Sequence, residues 1–266
     1  MKKAKKILYP IYKLFIPLII IIIISSYLSS IFEIVDYNGN GFLLKLSEIT
    51  FGHPRRVASF ILFVSQLSVV RCYNSKKEFA PTDLYGNYPI FIYNVAFYLL
   101  GFKIVNLKMK PIPLQFKLLH QKNFDLIDDT YYSPDEFDYD VSYFGKLDYN
   151  SKQINIIVAD TYIINEDMIK KTILKNYTIK IDRVGQVGVR TNSKNLINIL
   201  INEIQKNKST CKEFNLFLST PASINKSIYQ QVFQTGGRDK FKLNIYQQDN
   251  KNNYLFNENP VTISLG

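Results

Sequence analysis

Between Lys13 and Glu33 the chain carries no charge, and the middle of this stretch reads IPLIIIIIISS. An apolar run of this length, Leu14–Phe32, matches the about 20 residues a helix needs to cross a bilayer core of roughly 30 Å. Lys2, Lys3, Lys5 and Lys6 precede it and hold that end on the cytoplasmic side. The run is long for the apolar core of a cleaved signal peptide, and no small-x-small cleavage site follows it cleanly. The expectation is a retained membrane helix over about 14–32.

Two later stretches compete for a return crossing. Leu84–Phe102 is uncharged, rich in Tyr and Phe, and followed by Lys103, Lys108 and Lys110, the pattern of an aromatic belt with trailing cytoplasmic lysines. Asn87, Pro89, Asn94 and Gly101 count against it. Val57–Val70 is also uncharged, but shorter, and serves equally well as a buried core helix. The second crossing is expected over about 84–102, with 57–70 as the alternative, and residues 1–106 form the membrane region.

From residue 107 to 266 the character is that of an α/β domain. Gln153–Ala159, Tyr177–Ile181, Phe214–Leu218 and Phe241–Tyr246 read as strands. Asn165–Leu174, Ser193–Lys206 and Pro221–Gln234 read as helices, with Ser193 and Thr220 as caps. Alternation of this kind implies a parallel sheet. Between Lys122 and Lys146 the acidic residues include Asp135 and Glu136 after Pro134, a partial nuclease-like pattern that lacks its acidic-x-Lys partner. A solvated acidic loop is the expected structure there.

Charge divides this domain. Of the formal +11 on the 266 residues, the segment 178–266 holds a net +6, from twelve basic and six acidic side chains. That balance favours anionic partners: nucleotides, nucleic acid or acidic lipid. Two cysteines and two histidines leave little material for a disulfide framework or a metal site.

The segment FNLFLSTPASINKSIYQQVF concentrates the remaining signal. An apolar strand delivers the chain to a hydroxyl-rich helix start, and in open α/β sheets ligands sit outside the carboxyl ends of strands. Ser219, Thr220, Pro221, Ala222 and Ser223, supported by Asn225 and Lys226, are candidate contacts to a phosphate or ribose. Arg190, Thr191 and Asn192, entering another helix, form a second group, and Tyr246 is a candidate base-stacking ring. The same spacing also fits a helix cap with everything else packed.

The stretch from Asn195 to Ile263 resembles the C-terminal half of a SAVED domain, the cyclic-oligonucleotide sensor of bacterial anti-phage (CBASS) systems. Leu196–Ile204, FNLFLSTPAS and LNIYQQD carry the resemblance; SINKS stands where that family continues with a small apolar stretch and a Gly. It implies N-terminal transmembrane helices followed by a CARF-like, Rossmann-type SAVED sensor. It further implies a cyclic di- or trinucleotide as activating ligand, a partner nucleotidyltransferase, and no DNA or RNA polymer. Neither a cofactor nor enzymatic activity is expected.

The resulting expectation is an inner-membrane effector with a cytoplasmic sensor that oligomerises on ligand and breaches the bilayer, causing abortive infection. A cytosolic sensor behind a cytoplasmic N-terminus requires an even number of crossings. The rivals are a membrane-anchored enzyme on a nucleotide or phosphorylated substrate, with Asp135, Glu136 and Asp160 as acids, and a non-lytic nucleotide-binding adaptor.

Overall fold

The computed structural model describes residues 12, 15–28, 54–79, 88–127, 137–145, 152–185, 188–190, 193–234, 240–249 and 253–265. The chain divides into two compact units, Met1–Asn106 with Asn123–Asp125, and Leu107–Lys122 with Leu126–Gly266.

In the first unit, helix α1 covers 15–28 and α2 runs over Pro54–Asn74. Helix α3, Ile90–Asn94, continues as a π-helix over Val95–Leu99, and strand β1 is Ile104–Asn106. Much of the apolar surface of these helices is exposed: Ile19, Ile20, Ile22, Ile23 and Ile24 on α1, and Phe60, Ile61, Val64 and Val69 on α2.

Within the Leu84–Phe102 stretch the described helix covers only Ile90–Leu99. The first residues of the stretch, 84–87, lie outside the described ones. Pro89, extended at φ −55° and ψ 145°, sits immediately before the helix, and Gly101 at φ +75° ends it. A side chain at Gly101 would meet the Arg71 Cα at 2.7 Å, so only glycine fits this turn. The helical part spans about 15 Å, half a bilayer core. Tyr93 packs inward, 5.6 Å from Phe79 and 6.3 Å from Phe124 between ring centres, while Phe91 and Tyr98 are exposed. Among the described residues no helix is both long and apolar enough to cross a membrane.

The second unit is built on a six-stranded sheet. Its helices are α4 (Ile112–Gln121), α5 (Lys194–Asn207) and α6 (Ala222–Ser227), the last continuing as a π-helix over Ile228–Phe233. After β2 (Asp125–Ile127) come β3 (Tyr139–Phe144), β4 (Gln153–Ala159), β5 (Thr178–Arg183), β6 (Glu213–Ser219) and β7 (Phe241–Tyr246). The short β8 (Gln248–Asp249) and β9 (Leu255–Phe256) form a hairpin before β10 (Val261–Leu265). The order is β10-β7-β6-β4-β5-β3. The four central strands are parallel, and β3 and β10 close the edges antiparallel. Part of the expected acidic loop is therefore the edge strand β3.

One face of the sheet is apolar. Ile154, Ile156, Val158, Leu216, Leu218, Leu243 and Ile245 meet Phe116, Leu119, Leu196, Leu200, Ile204, Ile224 and Val232 from the helices. The Ser193 hydroxyl accepts the Leu196 N–H at 3.3 Å and so starts α5 as expected. The segment 165–174 is not a helix: only Glu166–Met168 makes a 3₁₀ turn. Ile164 and Ile169 are buried beneath it, and the Ile173 carbonyl accepts from the Asn155 side chain at 2.8 Å, which takes it out of any helical ladder.

The other face carries a row of amides. Thr262 donates to Asn244 at 2.8 Å, Asn244 to Asn215 at 2.9 Å, Asn215 to Asn155 at 2.9 Å, and Asn155 to Thr178 at 3.0 Å. These five residues are register partners on five adjacent strands. Asn215→Ala is expected to orphan the groups on both sides, at a cost of about 2–4 kcal/mol, whereas Thr262→Ala at the exposed edge costs about 1 kcal/mol or less. Apparent melting temperatures of the full chain check this; equal small shifts for both variants would show that the row adds nothing.

Candidate functional site at the carboxyl ends of the strands

The chain leaves β4 through Asp160 and Thr161, and leaves β6 through Thr220 and Pro221. The two exits are tied together: the Thr161 N–H donates to the Ser219 carbonyl at 2.7 Å, and the Tyr162 N–H to the Ser219 hydroxyl at 2.9 Å. Ser219 is thus a brace between strand ends.

Asp160 is fully buried. Its Oδ1 accepts from the Tyr139 hydroxyl at 2.7 Å and from Arg183 Nε and Nη2 at 3.0 and 2.5 Å. Arg183 Nη1 donates to the Val189 carbonyl at 2.6 Å, and its guanidinium lies 4.5 Å from the Phe137 ring centre. The Gly188 N–H donates to the Thr161 carbonyl at 2.8 Å. The turn after β5 is therefore fastened to the end of β4. Burial, reinforced by the bond to Asp160, pushes the Tyr139 hydroxyl up to about 12.

Three buried polar atoms here have no hydrogen-bond partner among the described residues: Asp160 Oδ2, Thr161 Oγ1 and Ser223 Oγ. Such groups cost about 1–3 kcal/mol each when left unmet, and three of them lie on the segments that follow two adjacent strands, which makes this the candidate site.

The expected site residues divide by role. Ser223 offers an open hydroxyl. Thr220 is not the helix cap: Pro221 holds that position without a side-chain bond, and the Thr220 hydroxyl donates to Asn225 Oδ1 at 2.5 Å. The fully buried Asn225 donates in turn to Gln115 Oε1 at 2.9 Å, so it positions the turn from behind. Ala222 and Pro221 shape that turn. Lys226 reaches the Leu126 carbonyl at 2.9 Å. Arg190 is exposed, while Thr191 and Asn192 lie outside the described residues, as do Asp135 and Glu136. Tyr246 is buried with its ring stacked on Phe217 at 4.4 Å, which places that face in the core. Among the described residues no group of three or more His, Cys, Asp or Glu is arranged to hold a metal ion.

Over residues 2–264 the chain matches the family described as SMODS- and Ubiquitin system-associated 2TM effector domain. The chain belongs to that family. No curated protein matches it. Among solved structures it is similar to the Acinetobacter baumannii Cap4 SAVED/CARF-domain containing receptor. With the cyclic trinucleotide 2'3'3'-cAAA, that receptor gives 8% identity over 65% of this chain and 42% of the other, TM-score 0.44. With 3'3'3'-cAAA the figures are 9%, 65%, 42% and 0.40, and a further structure of the receptor gives 11%, 66%, 39% and 0.40. The chain spans about two fifths of the receptor's length.

The sequence alone did not single out Thr161, Tyr139 and Arg183, and gave Asp160 only a catalytic alternative. The available signal was an Asp directly after the apolar strand QINIIVA, a position that charged residues occupy only with a partner.

Tyr139 gives a pH test. Its folded value of about 12 lies above the ordinary 10.0, so the folded state keeps the proton that the unfolded state loses. The contribution is complete below pH 10 and fades as pH rises toward about 12. Tyr139→Phe should be less stable at neutral pH yet lose less stability at about pH 11. Urea midpoints for both proteins at the two pH values measure the difference; identical slopes would remove Tyr139 from the buried network.

Proposed function

We propose that this 2TM effector is a membrane-anchored, non-enzymatic receptor that binds a cyclic di- or trinucleotide at the carboxyl ends of β4 and β6. The observation that carries this is the cluster of unmet polar atoms on Asp160, Thr161 and Ser223. Two hydroxyls and a carboxylate oxygen suit a phosphorylated sugar. The net +6 of residues 178–266 supports an anion through long-range attraction.

Membrane attachment is supported by the family description and by the exposed isoleucines of α1 and apolar side chains of α2, which water does not favour. Helix α2, over the alternative 57–70 stretch, takes the role of the second crossing. The sensor then lies in the cytoplasm, where a nucleotidyltransferase supplies the ligand. Positive sensors repel one another at short range, within about 8 Å at physiological salt. A multiply charged ligand between them removes that repulsion, gathers the apolar helices and opens the bilayer.

The test uses purified full-length protein in lipid vesicles, with a panel of cyclic di- and trinucleotides of adenosine and guanosine. One member should bind and release entrapped dye, and Ser223→Ala should weaken its binding roughly tenfold. Binding without leakage would establish the adaptor instead, and turnover of the nucleotide would establish an enzyme.

A further inference from the structure

The three open atoms at the strand ends are not chemically equivalent, and the difference specifies which part of a nucleotide each one meets. A carboxylate oxygen accepts hydrogen bonds and cannot donate, whereas a hydroxyl does both. Asp160 Oδ1 is saturated by the Tyr139 hydroxyl and two Arg183 nitrogens. Oδ2 of the same buried side chain has no partner. Whatever approaches it must bring a donor. A phosphate oxygen is an acceptor and carries like charge, so this corner rejects it. Thr161 Oγ1, from the next residue, and Ser223 Oγ can each donate, and they suit the phosphate.

A donor beside a phosphate is what a ribonucleotide presents: in a 3′–5′-linked ring, each 2′-hydroxyl is adjacent to a phosphodiester. A base amine is the other donor on such a ligand, but it comes with a flat ring that needs a face to lie against. The rings tied into this corner are committed, Phe137 beneath the Arg183 guanidinium at 4.5 Å and Tyr139 through its hydroxyl to Asp160, while Tyr162, two residues on, is exposed to solvent. We infer that Asp160 reads a ribose 2′-hydroxyl through its open Oδ2, making it a specificity residue that separates ribonucleotide from deoxyribonucleotide ligands. This rests on the cyclic-nucleotide reading above and adds to it the identity of the contacted group.

The experiment compares three versions of whichever cyclic adenosine or guanosine ligand the wild-type full chain binds: the ribose form, the 2′-deoxy form and the 2′-fluoro form. Fluorine occupies the hydroxyl's place and accepts weakly but cannot donate. Calorimetry should show the deoxy form binding roughly ten- to a hundredfold more weakly, and the fluoro form as weakly or more so, because it faces a carboxylate. Asp160→Asn keeps an oxygen for Arg183 and presents an amide N–H in place of Oδ2, so it should favour the fluoro form over the deoxy form.

Equal affinity of wild type for ribose and deoxy forms would overturn the inference while leaving the receptor reading intact. So would tighter binding of the fluoro form than of the deoxy form. Failure of every ribose form in the panel to bind would remove the receptor reading, and this inference with it. Should Asp160→Asn not fold, the rank order in wild type decides alone.

Discussion

Burying the Asp160 carboxylate together with the Arg183 guanidinium strips both of water, at several kcal/mol per ion. Such a pair is sustained only when geometry and additional hydrogen bonds offset that cost. Here the guanidinium gives two nitrogens to one carboxylate oxygen and a third to the Val189 carbonyl, while Tyr139 supplies a further donor. Three structural pieces converge on one oxygen: the start of β3, the end of β4 and the end of β5. Losing either ion would strand the other, at about 3–5 kcal/mol. The arrangement is therefore more than a stabilising contact, since an apolar substitute would hold the strands at least as firmly. What the ion pair adds is direction. It engages Oδ1 and leaves Oδ2 of the same carboxylate without a hydrogen-bond partner among the described residues.

The opposite end of the sheet uses polar groups differently. The row from Thr262 through Asn244, Asn215 and Asn155 to Thr178 runs head to tail, each amide donating to the next. A slip of one residue in any strand would move its amide to the apolar face and leave its neighbours unmet, so the row enforces register. Register is what sets the two strand exits level at the far end, where Ala159 pairs with Ser219 and Asp160 follows directly. A closed polar network fixes one end of the strands and an open one marks the other. The two ends of one sheet thus differ in how fully their polar groups are satisfied.

The central strands were legible because Gln153–Ala159, Glu213–Ser219 and Phe241–Tyr246 are apolar runs broken by turn residues. Each run also holds an Asn, and three such residues in buried strands signalled a ladder that local patterns cannot assemble without the pairing register. The edge strands β3 and β10 escaped notice: Asp138 and Asp140 made β3 read as part of an acidic loop, and Thr262 and Ser264 dilute β10. Helix α5 announced itself through Ser193 and its apolar spacing, whereas 165–174 misled because its isoleucines face a sheet rather than a helix stripe. At the site, the hydroxyls of STPAS were visible as a group, but their roles were not. Ser219 braces, Thr220 and Asn225 bond each other, and Ser223 alone of these four has an open hydroxyl.

Several polar side chains of α2 find their partners within the protein. Ser65 and Ser68 return their hydroxyls to the carbonyls of Ile61 and Val64, each at 2.8 Å, so neither needs a partner from the surroundings. The one cation in its last turn, Arg71, donates to the carbonyls of Tyr98 and Leu99, and Asn74 to that of Leu100 at 3.0 Å. Gln66, in mid-helix, by contrast keeps its buried Oε1 without a hydrogen-bond partner among the described residues, while Phe60, Ile61, Val64 and Val69 remain exposed. An apolar medium demands that polar groups be met from within the protein. On that criterion Ser65, Ser68 and Arg71 are provided for and Gln66 is not, and the ten-residue helical segment before Gly101 serves α2 by supplying the carbonyls that hold its end.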